Sequence, residues 1–182
     1  MPQKIIGEIM KNKKQAFTLI ELLVVILIIG ILATVALPQY QVAVRKAALA
    51  RYMALADALF QAQQVYYLSN GSYSNNLLAL DIDWPINSSC QPKVKEADTY
   101  AYDCGNFYIG IHNSTSSVEA GLDNIRYVKW LKNFKSSNYI YQAGKEYCFA
   151  KGDISIKACK AMGGIDTNLA ATAAWDKRFL LP

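Results

Sequence analysis

The chain is poor in the residues on which enzyme chemistry most often rests. Its 182 residues hold one histidine, His112, and no C-x-x-C pair, which excludes the usual zinc-site spacings. His112 lies in a strand-like run and reads as a hydrogen-bonded or surface histidine rather than a catalytic one. No phosphate loop, dinucleotide fingerprint or nucleophile elbow occurs, so nothing in the sequence points to an enzyme. Internal repeats and low-complexity linkers are missing as well. Charge is scarcest over residues 17–37, where twenty-one residues pass with one ionisable side chain, Glu21.

Basic charge is also less abundant than the formal net of +5 implies. Lys4, Lys11, Lys13 and Lys14 precede the apolar run with one acid, Glu8. Without residues 1–16, 15 basic and 13 acidic side chains remain, a net of +2. An electrostatic nucleic-acid binder is therefore not expected.

What the chain does have is the apolar run itself, FTLIELLVVILIIGILATVAL. A bilayer core needs ~20 predominantly apolar residues, so residues 17–37 read as a membrane-spanning helix. A carboxylate at the centre of such a helix costs roughly 2.5–3.5 kcal/mol, and Glu21 calls for a compensating partner. Lysines crowd the N-terminal edge, while Arg45, Lys46 and Arg51 follow the run, so the charge rule gives a slight topological bias. Cysteine placement decides it: Cys90, Cys104, Cys148 and Cys159 all follow the span, which puts that part in an oxidising compartment. Three connectivities are open. Local pairing, Cys90–Cys104 and Cys148–Cys159, closes two short loops, and each bond adds ~2–4 kcal/mol by restricting the unfolded chain.

Pro38 closes the apolar run and is expected to kink the helix rather than end it. Beyond it the sequence is alanine-rich, and Leu49, Tyr52, Met53, Ala56, Leu59, Phe60, Gln63, Tyr66 and Tyr67 recur at three-and-four spacing. Arg45, Lys46, Asp57, Gln61 and Gln64 fill the gaps. The spacing predicts one helix over 17–68: apolar all round in its first half, apolar on one side from 38 to 68. Asn70 or Gly71 suits the left-handed position that ends it. In the following loop Leu80, Ile82, Trp84 and Pro85 are expected to dock on the domain.

From Tyr100 short strand-like runs take over: TYAYD, NFYIGIH and NIRYVKWL, then YIYQAGKEYCFA, which reads as a hairpin turning near Gly144. ISIKACKAMGG reads as a short helix stopped at Gly163. The last eighteen residues carry no clear pattern, although Trp175, Phe179 and Leu180 have something to pack on. The expectation is an α+β protein: a long N-terminal helix packed on a small antiparallel sheet of three to five strands. Asp81, Asp83, Asp98 and Asp103 lack the twelve-residue calcium-loop pattern and read as a solvated face. The sequons at Asn87 and Asn113 are chance-level patterns.

QAFTLIELLVVILIIGILATVALPQY resembles the start of type IV pilin precursors and of the related pseudopilins of type II secretion. The likeness covers a basic leader, a small residue before an aromatic, T-L-I-E-L, and an apolar run closed by proline. YYLSNGSYSNNL resembles the end of the long pilin helix, and Cys148 and Cys159 sit where many pilins bound a disulfide-closed loop. The resemblance implies residues 1–16 as leader, 17–37 as membrane and assembly helix, 38–68 as its amphipathic continuation and 69–182 as an α+β head. It implies cleavage by a prepilin peptidase between Ala16 and Phe17, where glycine is usual before the cut, and N-methylation of Phe17 by the same enzyme. A start at Met10 would give a more typical short leader.

Processing gives Glu21 a role. Cutting after Ala16 leaves an α-amino group on Phe17 that is positively charged at neutral pH. Pairing of that amine with Glu21 of a neighbouring subunit would set axial register in a fibre. The partners implied are other pilin subunits, the processing enzyme, an assembly platform, and membrane lipid before assembly. The precursor would sit in the inner membrane with its head outside the cytoplasm, then in a surface fibre. The alternative is a periplasmic secretion pseudopilus, the one case in which calcium would be expected; otherwise no cofactor or metal is. A more distant alternative is a secreted domain behind an ordinary signal peptide. There the run is too long, and the small residues at 34–36 make a poor cleavage site beside Pro38.

Overall fold

The computed structural model describes residues 17–83, 89–95, 99–105, 107–112, 116–136, 139–172 and 174–182. The chain divides into two compact units, Met1–Leu37 and Pro38–Pro182, and each is taken by itself. Helix α1 runs over Leu19–Asn70, two residues displaced from expectation at either end. It stops where the Gly71 N–H bonds the Tyr67 carbonyl at 2.8 Å with Gly71 at φ +68°. That left-handed position is one a β-carbon disfavours.

In the second unit, α1 buries Leu49, Tyr52, Ala56, Leu59 and Gln63. The steps of three and four residues are those of one helical stripe, and each fully buried leucine contributes roughly 1.5–3 kcal/mol. The stripe joins one cluster with Ile109, Ile111, Val118, Ala120, Ile125, Tyr127, Cys148 and Phe179. Leu80 is buried in the same cluster, and Ile82 packs against it. Trp84 and Pro85, like Asn87, Asp98 and Asn113, lie outside the described residues.

The strands are β1 (Gln91–Lys95), β2 (Thr99–Asp103), β3 (Tyr108–His112), β4 (Ser117–Leu122), β5 (Ile125–Trp130), β6 (Phe134–Ser136), β7 (Tyr139–Tyr141), β8 (Glu146–Ala150), β9 (Ile165–Asp166) and β10 (Lys177–Leu180). Eight of them form one sheet in the order β1-β2-β3-β4-β5-β8-β10-β9, antiparallel at every pairing. The sheet is wider than the three to five strands expected. β1 carries Pro92 and two lysines, and β4 carries Glu119 and Gly121, so neither shows the β-branched and aromatic enrichment that marks a strand. The unpatterned tail supplies β9 and β10, with Phe179 fully buried.

The hairpin expected from YIYQAGKEYCFA does not form. β7 pairs with β6 in a separate two-stranded sheet, while β8 enters the main sheet between β5 and β10. Aromatic packing accounts for the difference. Tyr141 stacks on Trp130 at 4.1 Å between centroids and meets Tyr147 edge-on at 5.0 Å. β7 therefore delivers Tyr141 to a second apolar cluster of Val128, Trp130, Tyr141 and Tyr147. Helix α2 (Asp153–Ala161) follows β8 and is tied to it by the Cys148–Cys159 disulfide. The other disulfide, Cys90–Cys104, closes the β1–β2 hairpin.

Polar links join α1 to the sheet. Asp57 accepts from Tyr127 Oη at 3.1 Å and from Lys129 Nζ at 2.8 Å, and Lys129 also reaches Glu146 at 3.2 Å. Burial pulls the Lys129 ammonium down, but its bonds to the two carboxylates outweigh that and leave it above the usual lysine range. Arg45 Nη1 donates to Asn124 Oδ1 at 3.0 Å, and Lys46 Nζ to the Ala161 carbonyl at 3.0 Å. These basic residues brace the helix.

Candidate assembly surface

In the first unit, residues 17–37 present almost nothing but apolar side chains. Every large one is exposed, from 45% at Val24 to 88% at Leu19. The helix is long and apolar enough to cross a membrane, and none of its most apolar window is buried. Leaving so much hydrocarbon in water opposes the hydrophobic effect, so this surface is built for another environment. Gly30 opens a shallow notch between Leu23, Ile26, Leu27, Ile31 and Thr34, with no atom within 4 Å of where a β-carbon would stand.

The start of the helix is closed by a reciprocal cap. The Thr18 backbone N–H and hydroxyl both donate to Glu21 Oε2 at 2.8 Å, and the Glu21 N–H donates to Thr18 Oγ1 at 3.3 Å. A threonine followed three residues later by glutamate is the capping-box pattern, which satisfies helix-end donors that apolar neighbours leave unpaired. The T-x-x-E signal stands in the sequence at residues 18–21, although the charge of Glu21 points first to the amine. Both uses are chemically compatible, because a carboxylate accepts at two oxygens. Phe17 stands 86% exposed at the head of this turn. Ala16 and the rest of the leader lie outside the described residues. Pro38 falls inside α1 as the first residue of the second unit.

The other described sequence candidates lie in the second unit. His112 Nε2 lies 2.6 Å from Glu119 Oε1, on the sheet face turned away from α1. Arg126 Nη1 reaches both Glu119 oxygens at 3.1 and 3.2 Å and lies over the Tyr108 ring at 4.3 Å and the Trp175 ring at 5.1 Å. Burial pushes the Glu119 carboxyl up, but the His112 hydrogen bond and the Arg126 charge more than offset it and hold it below the usual range. Gly121 stands between Tyr108 and Arg126 in register, and a β-carbon there would collide with the Ile125 carbonyl. The cluster has the build of a structural ion pair. Asp81 and Asp83 are exposed, and Asp103 accepts the Gly105 N–H at 2.9 Å. Among the described residues no group of three or more His, Cys, Asp or Glu side chains is placed to hold a metal.

Fold and surface together define a protein with an exposed N-terminal apolar helix and an α+β head. The family model "Prokaryotic N-terminal methylation motif" matches residues 11–37. The chain is 37% identical over 89 residues to a type IV major pilin protein PilE1 of Neisseria gonorrhoeae, covering 49% of this chain and 54% of that one. It is 43% identical over 67 residues to a fimbrial protein of Neisseria meningitidis serogroup A, covering 37% and 39%. It is 52% identical over 48 residues to a fimbrial protein of Moraxella nonliquefaciens, covering 26% and 31%. The match spans about half the length of these curated relatives or less. No solved structure matches. Over these stretches the chain is similar to type IV pilins and fimbrial proteins, and its residues 11–37 carry the N-terminal methylation motif.

Proposed function

We propose that the chain is a structural, non-enzymatic subunit of a type IV pilus. Residues 1–16 serve as leader, 17–37 as membrane and assembly helix, 38–68 as its amphipathic continuation and 69–182 as the head. A prepilin peptidase cuts between Ala16 and Phe17 and methylates Phe17. Residues 17–37 hold the precursor in the inner membrane with the disulfide-bonded head outside the cytoplasm. At the assembly platform the same apolar surface leaves lipid for the helices of fellow subunits, and the product is a fibre on the cell surface. Pro38, which takes one donor out of the helix ladder, is the proposed kink.

The observation that carries this reading is the exposed apolar surface of residues 17–37 coinciding with the matched methylation motif. Relatives named as pilins and fimbrial proteins favour a pilus over a secretion pseudopilus. Within the fibre, Glu21 pairs with the Phe17 amine of a neighbour and sets register, since opposite charges in a low-dielectric core attract strongly and cost much when parted. N-terminal mass spectrometry of the mature chain tests the processing step: methylated Phe17 as first residue supports it. A mature chain beginning at Leu37 contradicts it and restores the secreted-domain alternative.

A further inference from the structure

The first turns of α1 in the second unit carry apolar side chains that the core leaves out. Tyr40 is 68% exposed, and Val44 and Ile154 of α2 are exposed too; all three lie outside the buried cluster. With Arg45, Ala48 and Leu122 they line one open groove of about 410 Å³. Basic groups border it. Arg45 and Lys46 hold neutral partners, the Asn124 amide oxygen and the Ala161 carbonyl, so neither bond cancels the positive charge. On α2, Ile154, Lys157 and Ala161 recur at the three- and four-residue steps of one stripe. Lys157 is exposed, as is Lys160 one turn beyond it. The acids nearest in the chain are Asp123, in the turn after β4, and Asp153, at the start of α2, and neither lines the groove. Asp166, whose charge Lys160 also feels, is already paired with Lys177 at 2.9 Å.

We propose that this face of the head rests on anionic phospholipid headgroups while the precursor is in the membrane. The inference rests on the reading of residues 17–37 as the membrane helix. Tyr40 follows Leu37 by three residues, a stretch that spans at most ~11 Å. Its ring therefore stays at headgroup level when the apolar run fills the bilayer core, the depth that tyrosine favours. Tyr40, Val44 and Ile154 offer apolar surface to the upper acyl boundary. The lysine stems lie along such a surface and keep their ammonium groups among the phosphates. A neutral bilayer would take the apolar groove but gain little from Arg45, Lys46, Lys157 and Lys160, whereas an anionic one attracts all four. A second copy of the chain matches the face less well. Residues 17–182 carry 15 basic against 13 acidic side chains, so a copy brings no excess of acid.

The test places the full chain, one copy per nanodisc, in phosphatidylcholine alone or with three parts in ten phosphatidylglycerol. Isoleucine methyl NMR signals are followed with a spin label on the lipid headgroup or at mid-chain. The mid-chain label should relax Ile26, Ile28 and Ile29 in both lipids, which reports insertion of the span. The headgroup label should relax Ile154 at least about twofold more strongly with phosphatidylglycerol present, and 0.5 M salt should remove most of that gain. Ile140, exposed on β7, should stay unrelaxed. Lys157→Gln/Lys160→Gln should lower the gain at Ile154 by roughly half or more. Both lysines are exposed, so unchanged thermal melting is expected of that variant. Equal relaxation of Ile154 in the two bilayers, or none in either, with the span isoleucines relaxed, would overturn the headgroup contact and leave the membrane helix standing. Span isoleucines that escape the mid-chain label would overturn both. Relaxation or protection of Ile154 that needs two copies in one disc would give the groove to a fellow subunit and overturn the proposal.

Discussion

Thr18 and Glu21 cap each other at the first turn of the apolar helix, with two donors of Thr18 on one Glu21 oxygen and the Glu21 N–H returned to the Thr18 hydroxyl. The arrangement gives the carboxylate an intramolecular function besides the register role proposed for it. Replacing Thr18 by alanine removes the hydroxyl half of the cap, worth about 1 kcal/mol. Amide exchange at residues 19–22 in detergent micelles should quicken several-fold in Thr18→Ala, with exchange at 26–34 unchanged. Equal rates at 19–22 would show that the cap contributes nothing in that environment.

Gln63 holds the loop after α1 with both ends of its amide. Its Nε2 donates to the Ser74 carbonyl at 2.8 Å, and its Oε1 accepts the Ser74 N–H at 2.9 Å, both buried. Gln63→Leu keeps the volume and strands two backbone groups. The head should lose about 2–6 kcal/mol, since each buried unpaired group costs roughly 1–3 kcal/mol. Urea denaturation of wild type and variant measures it.

Glu119 makes the head's stability depend on acidity. Its carboxyl titrates below the usual range in the folded protein, so it binds protons more weakly there than when unfolded. Its contribution is therefore present above the unfolded carboxylate range and is lost as pH falls through the folded value. At neutral pH Glu119→Gln should cost about 3 kcal/mol, because it leaves the Arg126 charge without its partner. The gap in melting temperature between the two proteins should narrow as pH is lowered below 4.5, the unperturbed carboxyl value. A constant gap from neutral to acid would refute the linkage.

Cys148–Cys159 fastens α2 to the centre of the sheet, where both sulfurs are fully buried. Changing both cysteines to alanine should lower stability by about 2–4 kcal/mol. Non-reducing and reducing melts of the wild type should differ in the same direction.

Much of this is legible in the chain. Residues 17–37 stand out because an unbroken apolar run of that length suits a bilayer far better than a small soluble head. The stripe Leu49, Tyr52, Ala56, Leu59 and Gln63 follows from helical spacing alone. β4 does not, because its two faces serve two different environments. Val118 and Ala120 turn to the helix, whereas Glu119 sits buried among charged partners that lie apart from it in sequence. A strand with an acid at its centre and glycine two residues on looks like a loop until those partners are known. YIYQAGKEYCFA misleads for a related reason: its turn chemistry is right, with Gly144 at φ +74°, but Tyr141 is held by Trp130 rather than by the strand that follows. The charge of Glu21 is plain in the sequence. Its bonds to Thr18 depend on the helix beginning at Leu19, and an apolar run does not mark its own first turn.

The most direct test is a shear experiment on cells carrying wild type or Glu21→Ala. Electron microscopy of the sheared fraction should show filaments containing the wild-type chain and none from the variant, while both proteins begin at methylated Phe17. Normal filaments from Glu21→Ala would contradict the register role, and a wild-type chain that leaves the cell only as a soluble monomer would contradict the fibre itself.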